Sequence, residues 1–213
     1  MGQAELQNLI PLGAVLHHSL SQPKALELGA GVRLRQGRLH EVSGASADMF
    51  AIQTAAAQDN PILWMGLHRD IVTLNPSGLQ AYLKVEDLIL VEAVSRGELL
   101  WAADQALRAA GGFCVIIDMP DTLSLKESRR LQLAAEQGGG IGLLLLRGPA
   151  STSAAQTRWE CQPRCAEQPS WDWACLKGKN GEAGRWRMTE QLRDRKGGAS
   201  AKDTLHLAAA ASA

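Results

Sequence analysis

Two stretches of this chain are apolar at every position, not every second one. They are Phe113-Cys114-Val115-Ile116-Ile117, closed by Asp118, and Ile141-Gly142-Leu143-Leu144-Leu145-Leu146. A strand with one face in water alternates apolar and polar residues, whereas an unbroken run needs cover on both faces. Pro61-Ile62-Leu63-Trp64-Met65 and Leu88-Ile89-Leu90-Val91 read the same way, and Arg38 to Val42 alternates like a strand. Helical stretches lie between them. Ala-rich sequence runs from Asp48 through Gln58. A short helix holds Leu79, Tyr82 and Leu83, and a longer one holds Leu99, Leu100, Ala103, Ala106 and Leu107 at helical spacing. Asp48, Ser77, Ser95 and Ser124 are the expected N-caps, and Glu127, three residues after Ser124, completes a capping box. Gly111-Gly112 and Gly138-Gly139-Gly140 end two of the helices. Apolar strands alternating with helices predict an α/β fold, a mostly parallel sheet with helices on both faces.

The alternation stops after Arg147. Thr157 to Gln162, Trp171 to Leu176 and Gly184 to Met188 read as short antiparallel strands, with a hairpin turn at Lys179-Asn180-Gly181. The chain therefore divides into an N-terminal arm (1–36), a core (37–188) and a mostly disordered tail (189–213). Within the arm, Leu6, Leu9, Ile10, Val15 and Leu16 suit a short amphipathic helix broken at Pro11. In the tail, Leu205 and Leu207 are the apolar residues that interrupt polar, Ala-rich sequence.

Composition narrows the function. Hydrophobic residues make up 46% and charged residues 21%, an ordinary globular balance, and the formal net charge is zero. Nucleic-acid binders usually carry a basic excess, because phosphate neutralisation dominates their affinity, so strong autonomous DNA binding is not expected. No apolar run has the length of a membrane span, and Met1 to Leu20 lacks a basic segment followed by an apolar one, so a cytoplasmic location is expected. Cys114 sits in an apolar strand. Cys161-x-x-x-Cys165 lacks the second close pair or nearby His that zinc requires, and with Cys175 these read as unlinked thiols.

In a parallel α/β sheet, the turn from the first strand into its helix is where a phosphate-binding loop belongs. Its glycines let backbone amides wrap the phosphates, its Lys balances their charge, and its hydroxyl holds Mg²⁺. Here the turn reads Gly44-Ala45-Ser46-Ala47-Asp48-Met49-Phe50-Ala51. Met49 replaces the second glycine, Phe50 the lysine and Ala51 the hydroxyl, while Asp48 adds negative charge. No cofactor, metal or ATPase activity is expected of such a loop. Asp118 closes a strand like a Mg²⁺-holding carboxylate, but without those partners it reads as a turn residue before Met119-Pro120.

The order of elements from Gln36 to Gly44, and from Leu88 through Gly97-Glu98 to Asp118, resembles the RecA core. The hairpin from Trp171 to Met188 resembles RecA's C-terminal core hairpin, whose lysines reach a neighbouring subunit's ATP. Lys177 and Lys179 stand as counterparts, with Gly181 where a second motif lysine would be. RecA's catalytic Glu has no match in Trp64-Met65-Gly66-Leu67-His68-Arg69, nor its γ-phosphate-sensing Gln in Leu145-Leu146-Arg147-Gly148. More specifically, Trp64 to Asp70, Val94-Ser95-Arg96-Gly97-Glu98 and Glu127 to Glu136 resemble the ImuA family. That resemblance covers about Gln36 to Met188. It implies a RecA-like fold and a non-catalytic role in SOS-induced translesion synthesis. The implied partners are an ImuB-like polymerase homologue, and RecA or an error-prone replicative-type polymerase, with homo-oligomerisation and an indirect DNA contact left open. The SulA family of SOS cell-division inhibitors, which bind FtsZ, shares the pattern from Arg96 to Arg147 and is the alternative.

Candidate partner contacts follow from residue type. Arg129 and Arg130 stand beside Leu131 and Leu133 on one helix and suit a contact with a partner or a phosphate, although a solvated helix face is the favoured explanation. Trp171 and Trp173, with Arg185 and Arg187, suit a protein interface or base stacking, against the plainer reading that alternate Trp side chains fill the core. Trp171 and Trp173 share a face of their strand because side chains alternate.

Overall fold

The computed structural model describes residues 24–148, 152–179, 183–190 and 205–209. A nine-stranded sheet dominates it, in the order β11-β10-β9-β8-β3-β7-β6-β4-β5. The strands are β3 (Arg38–Ser43), β4 (Ile62–Leu67), β5 (Leu88–Ala93), β6 (Cys114–Met119), β7 (Ile141–Leu146), β8 (Thr157–Arg164), β9 (Ser170–Gly178), β10 (Gly184–Glu190) and β11 (Leu205–Ala209). From β5 to β8 every neighbouring pair is parallel, and β8, β9, β10 and β11 pair antiparallel. The chain has the expected α/β fold, with helices on a mostly parallel sheet and an antiparallel C-terminal extension.

Both faces of β6 and β7 are covered, which is why these central strands show no alternation, whereas the edge strand β5 differs from the reading and leaves Ile89 and Leu90 exposed. Cys114, Ile116, Leu143 and Leu145 pack beneath helix α1 (Ala47–Ala56). Val115, Ile117, Leu144 and Leu146 face α4 (Arg96–Arg108) and α5 (Leu125–Gly138) through Leu99, Ala103, Leu107, Leu131 and Ala134. Two single-turn helices, α2 (His68–Ile71) and α3 (Pro76–Leu79), follow β4.

The caps at Ser95 and Ser124 form as expected: each side chain accepts from the amide three residues on, and Glu127 returns the bond to Ser124. Gly139 ends α5 in the left-handed conformation. Two caps differ. Asn75, not Ser77, caps α3, because its shorter reach suits the amide two residues on. Ser46 holds the N-cap position of α1, which places Asp48 in the first turn with its carboxylate free to pair elsewhere.

The arm and tail also differ from the reading. Ala25–Gly29 (β1) and Val32–Arg35 (β2) make an antiparallel hairpin, and Leu28, Val32 and Leu34 are buried in the core beneath α1. Apolar alternation on both sides of Gly29-Ala30-Gly31 is a hairpin signature that the reading of residues 1–36 as an arm overlooked. In the tail, Leu205–Ala209 pairs with β10, giving an otherwise open edge its hydrogen-bonding partner. The helix expected around Leu6 to Leu16 and the turn at Asn180-Gly181 lie outside the described residues.

Candidate functional site: an occluded crevice at the strand ends

In a doubly covered parallel sheet, ligands bind beyond the carboxyl ends of strands, where successive connections leave toward opposite faces. Here that point lies between β3, whose connection forms α1 on one face, and β7, reached through α5 on the other. The Gly44 turn, Asp118 and Arg147 all sit there.

The turn has the wrong backbone for a phosphate. Gly44 has φ +99°, and a Cβ placed on it would lie 2.2 Å from the Cys161 carbonyl oxygen. The glycine therefore exists to let β8 approach, not to free an amide. The amide of Ser46 donates to that Cys161 oxygen at 3.1 Å, that of Ala47 to Gly44 O at 3.1 Å, and that of Met49 to Ser46 O at 3.0 Å. A phosphate cradle needs such amides converging on an open point. Phe50, at the lysine position, is fully buried, with its ring 5.2 Å from Trp159 and 4.7 Å from Trp173. Ala51 is buried beside it, and Met49 packs against the same core.

A cation does reach the crevice, contrary to what the loop alone suggests. Arg147, the residue after β7, holds Asp118 with Nε at 2.8 Å and Nη2 at 2.7 Å, and reaches Asp48 with Nη2 at 2.8 Å. Asp118 is buried, so this two-pronged bond supplies the counter-charge that burial demands. The bond to Asp118, ahead of that to Asp48, holds the Arg147 guanidinium protonated well beyond its ordinary range. Asp118 is thus an ion-pair partner and not a plain turn residue. Gly66 makes room for it, since a Cβ there would sit 3.2 Å from the Asp118 Cβ.

Two carboxylates against one guanidinium leave the triad with one net negative charge. It forms one wall of a depression of about 330 Å³, whose other walls include Ile52, Leu79 and Tyr82. The Tyr82 hydroxyl donates to Glu190 at 3.1 Å. Burial, then the Glu190 charge, pushes its pKa up to about 12. A triphosphate entering here would have to pull Arg147 off both carboxylates and then face their charge.

Most of the other candidates turn inward. Lys177 and Lys179 donate to the backbone oxygens of Ser153 and Ala154 at 3.0 and 2.8 Å, which fastens the segment before β8. Burial, then the nearby Lys179 and Arg158, lowers the Lys177 pKa. Trp173 is core and Trp171 is half-buried against it, so the plainer reading holds for this pair. Arg187 pairs with Asp172 at 3.1 Å across β9 and β10. Arg130 reaches Asp104 on α4 at 3.0 Å. Arg129 and Arg185 are exposed, with no ion-pair partner among the described residues. The structure brings Asp48 and Asp118 together and leaves the arginine candidates dispersed. Arg147 and Gly66 were missed as functional positions. Their signal was a cation one residue past a buried strand and a glycine inside another.

Among the described residues, no group of three or more His, Cys, Asp or Glu is placed to hold a metal, and no helix is long and apolar enough to cross a membrane. Fold and crevice together define an α/β protein, a mostly parallel sheet with an antiparallel extension, whose strand-end depression is lined by the Arg147 ion pairs. No protein-family model and no curated protein sequence matches the chain.

Proposed function

We propose that this protein is a non-catalytic, RecA-like accessory factor of SOS-induced translesion synthesis, of the ImuA kind, acting through contacts with a polymerase-like partner. One observation carries the reading: Arg147 is clamped by Asp118 and Asp48 at the crevice in which a RecA-like ATPase would hold phosphate, so the cation there is already paired. Phe50 and the turn amides add to it, since the ring is buried in the core and the amides of Ser46, Ala47 and Met49 are bonded within the chain. A fold that keeps the sheet and closes the ligand point retains surfaces and loses chemistry, which suits a scaffold.

Two measurements test the reading. Calorimetric titration with Mg-ATP gives no binding heat, and a micromolar affinity would overturn the pseudo-ATPase assignment. Co-purification with an ImuB-like polymerase homologue gives a stoichiometric complex, and two proteins eluting separately would count against the assigned role.

A further inference from the structure

The outward surface of α4 and α5 shows what kind of partner it fits. Leu125, Arg129 and Leu133 recur every four residues on α5, so they form one stripe along the helix. Leu125 is 55% exposed and Leu133 44%. On α4, Trp101 is 60% exposed. It stands three residues before Asp104, the carboxylate that Arg130 crosses from α5 to reach, so Trp101 and the α5 stripe lie on one outward surface, on either side of Arg130. Trp and Arg are the side chains that most often dominate protein interfaces.

The platform is rigid. Arg96 at the start of α4 bonds Glu127 at 2.6 and 3.1 Å and Asp121 at 2.8 Å, and Arg108 and Arg130 both hold Asp104 midway along. A surface already ordered loses little entropy on binding.

Charge selects the occupant. Every carboxylate on the two helices is already engaged within the chain. Glu98 accepts from the Val94 amide and Asp104 from Arg108 and Arg130. Glu127 accepts from Arg96 and Ser124, and Glu136 from Arg38 and Gln132. Lys126 and Arg129 have no ion-pair partner among the described residues, and both flank the exposed leucines. The free charge beside the apolar stripe is therefore positive. A second copy docking by the same face would set Arg129 and Lys126 against their own equivalents.

We infer that the outward Trp101–Leu125–Arg129–Leu133 face docks an acidic amphipathic helix of a protein partner, with leucine-type anchors against the exposed apolar side chains and carboxylates on Lys126 and Arg129. This inference rests on the reading of the chain as an interaction scaffold and names the surface that serves it.

The test uses the full chain and three fluorescent probes: a Leu/Glu amphipathic helical peptide, the same peptide with Lys for Glu, and a single-stranded oligonucleotide. The acidic peptide is expected to bind. Trp101→Ala and Arg129→Glu should each weaken it at least tenfold, and Arg129→Glu should gain affinity for the Lys peptide. Both sites are exposed, and Leu133→Glu, with unchanged thermal unfolding, serves as a third variant. Equal binding of both peptides, indifference to all three variants, or an oligonucleotide that outcompetes the acidic peptide at Arg129 would overturn the inference. The polymerase-like partner is then titrated against the same variants. If it binds all of them as it binds the unaltered chain, the docking face is wrong and the scaffold role stands. If it binds none while the acidic peptide binds, the face stands and the assigned pathway falls.

Discussion

Arg147 and Asp118 meet end to end with two bonds, Nε at 2.8 Å and Nη2 at 2.7 Å, at the place where adjacent connections of the sheet part toward opposite faces. The carboxylate is almost wholly buried while the guanidinium keeps two-fifths of its surface in solvent. Removing the arginine would therefore strand a buried charge, whereas removing both partners would not. Arg147→Ala should cost about 2–3 kcal/mol of stability, below the range for a fully buried pair because solvent screens the exposed partner. Arg147→Met combined with Asp118→Leu should recover much of that loss. Urea unfolding of the single and double variants checks both values, and equal losses in the two would contradict the ion-pair account.

Gly44 carries no side chain because Cys161 leaves it no room. Gly44→Ala meets a carbonyl oxygen at 2.2 Å while holding φ at +99°, so strand and turn must separate. A loss of about 3 kcal/mol or more is expected, with faster hydrogen exchange at the Ser46 amide. A neutral substitution would mean that the close approach is not rigid.

Glu127 caps α5 and braces α4 through Arg96. The Arg96 bond leads the causes that depress its pKa, outweighing burial, and takes it from the usual carboxylate value to about 2. A depressed folded-state pKa stabilises the protein above the unfolded value, and that contribution drains away as pH falls toward 2. Glu127→Gln should lower neutral-pH stability by about 1–2 kcal/mol and flatten the stability profile between pH 5 and pH 2. The same slope in both proteins would show that other carboxylates drive acid unfolding.

The thiols differ sharply in reach. Burial pushes the Cys114 thiol up to about 12, and Cys161 is likewise held well above its usual value by burial, then by Glu160. Cys165 is exposed. A maleimide at neutral pH should label Cys165 in the native protein and reach Cys114 and Cys161 only after denaturation. Mass spectrometry of native and unfolded samples settles it.

The parallel sheet was legible because Cys114 to Ile117 and Ile141 to Leu146 admit no other burial. The capping residues Ser95 and Ser124 announced their helices through local chemistry. The β1 hairpin was hidden because Gly29, Ala30 and Gly31 signal a turn whether or not the flanking chain pairs. β11 was hidden because its pairing with β10 is a long-range choice that five residues of weak pattern do not encode. At the crevice, the packing of Met49, Phe50 and Ala51 against the core could be read from their apolar types. Arg147 showed only as a cation one residue past a buried strand; its role depends on β6, β7 and the start of α1 converging, which no spacing along the chain records. Lys177 and Lys179 misled for the opposite reason: their type suggests a ligand, and their geometry gives them backbone oxygens nearby.

Phe50, contributed by the first helix, lies against Trp159 and Trp173, and Trp159 in turn meets Trp186 at 5.2 Å. The late strands are thus riveted to the earliest part of the core by rings from opposite ends of the chain. A fragment stopped at Arg147 would leave Phe50 facing water, and the two halves should melt together in a single transition.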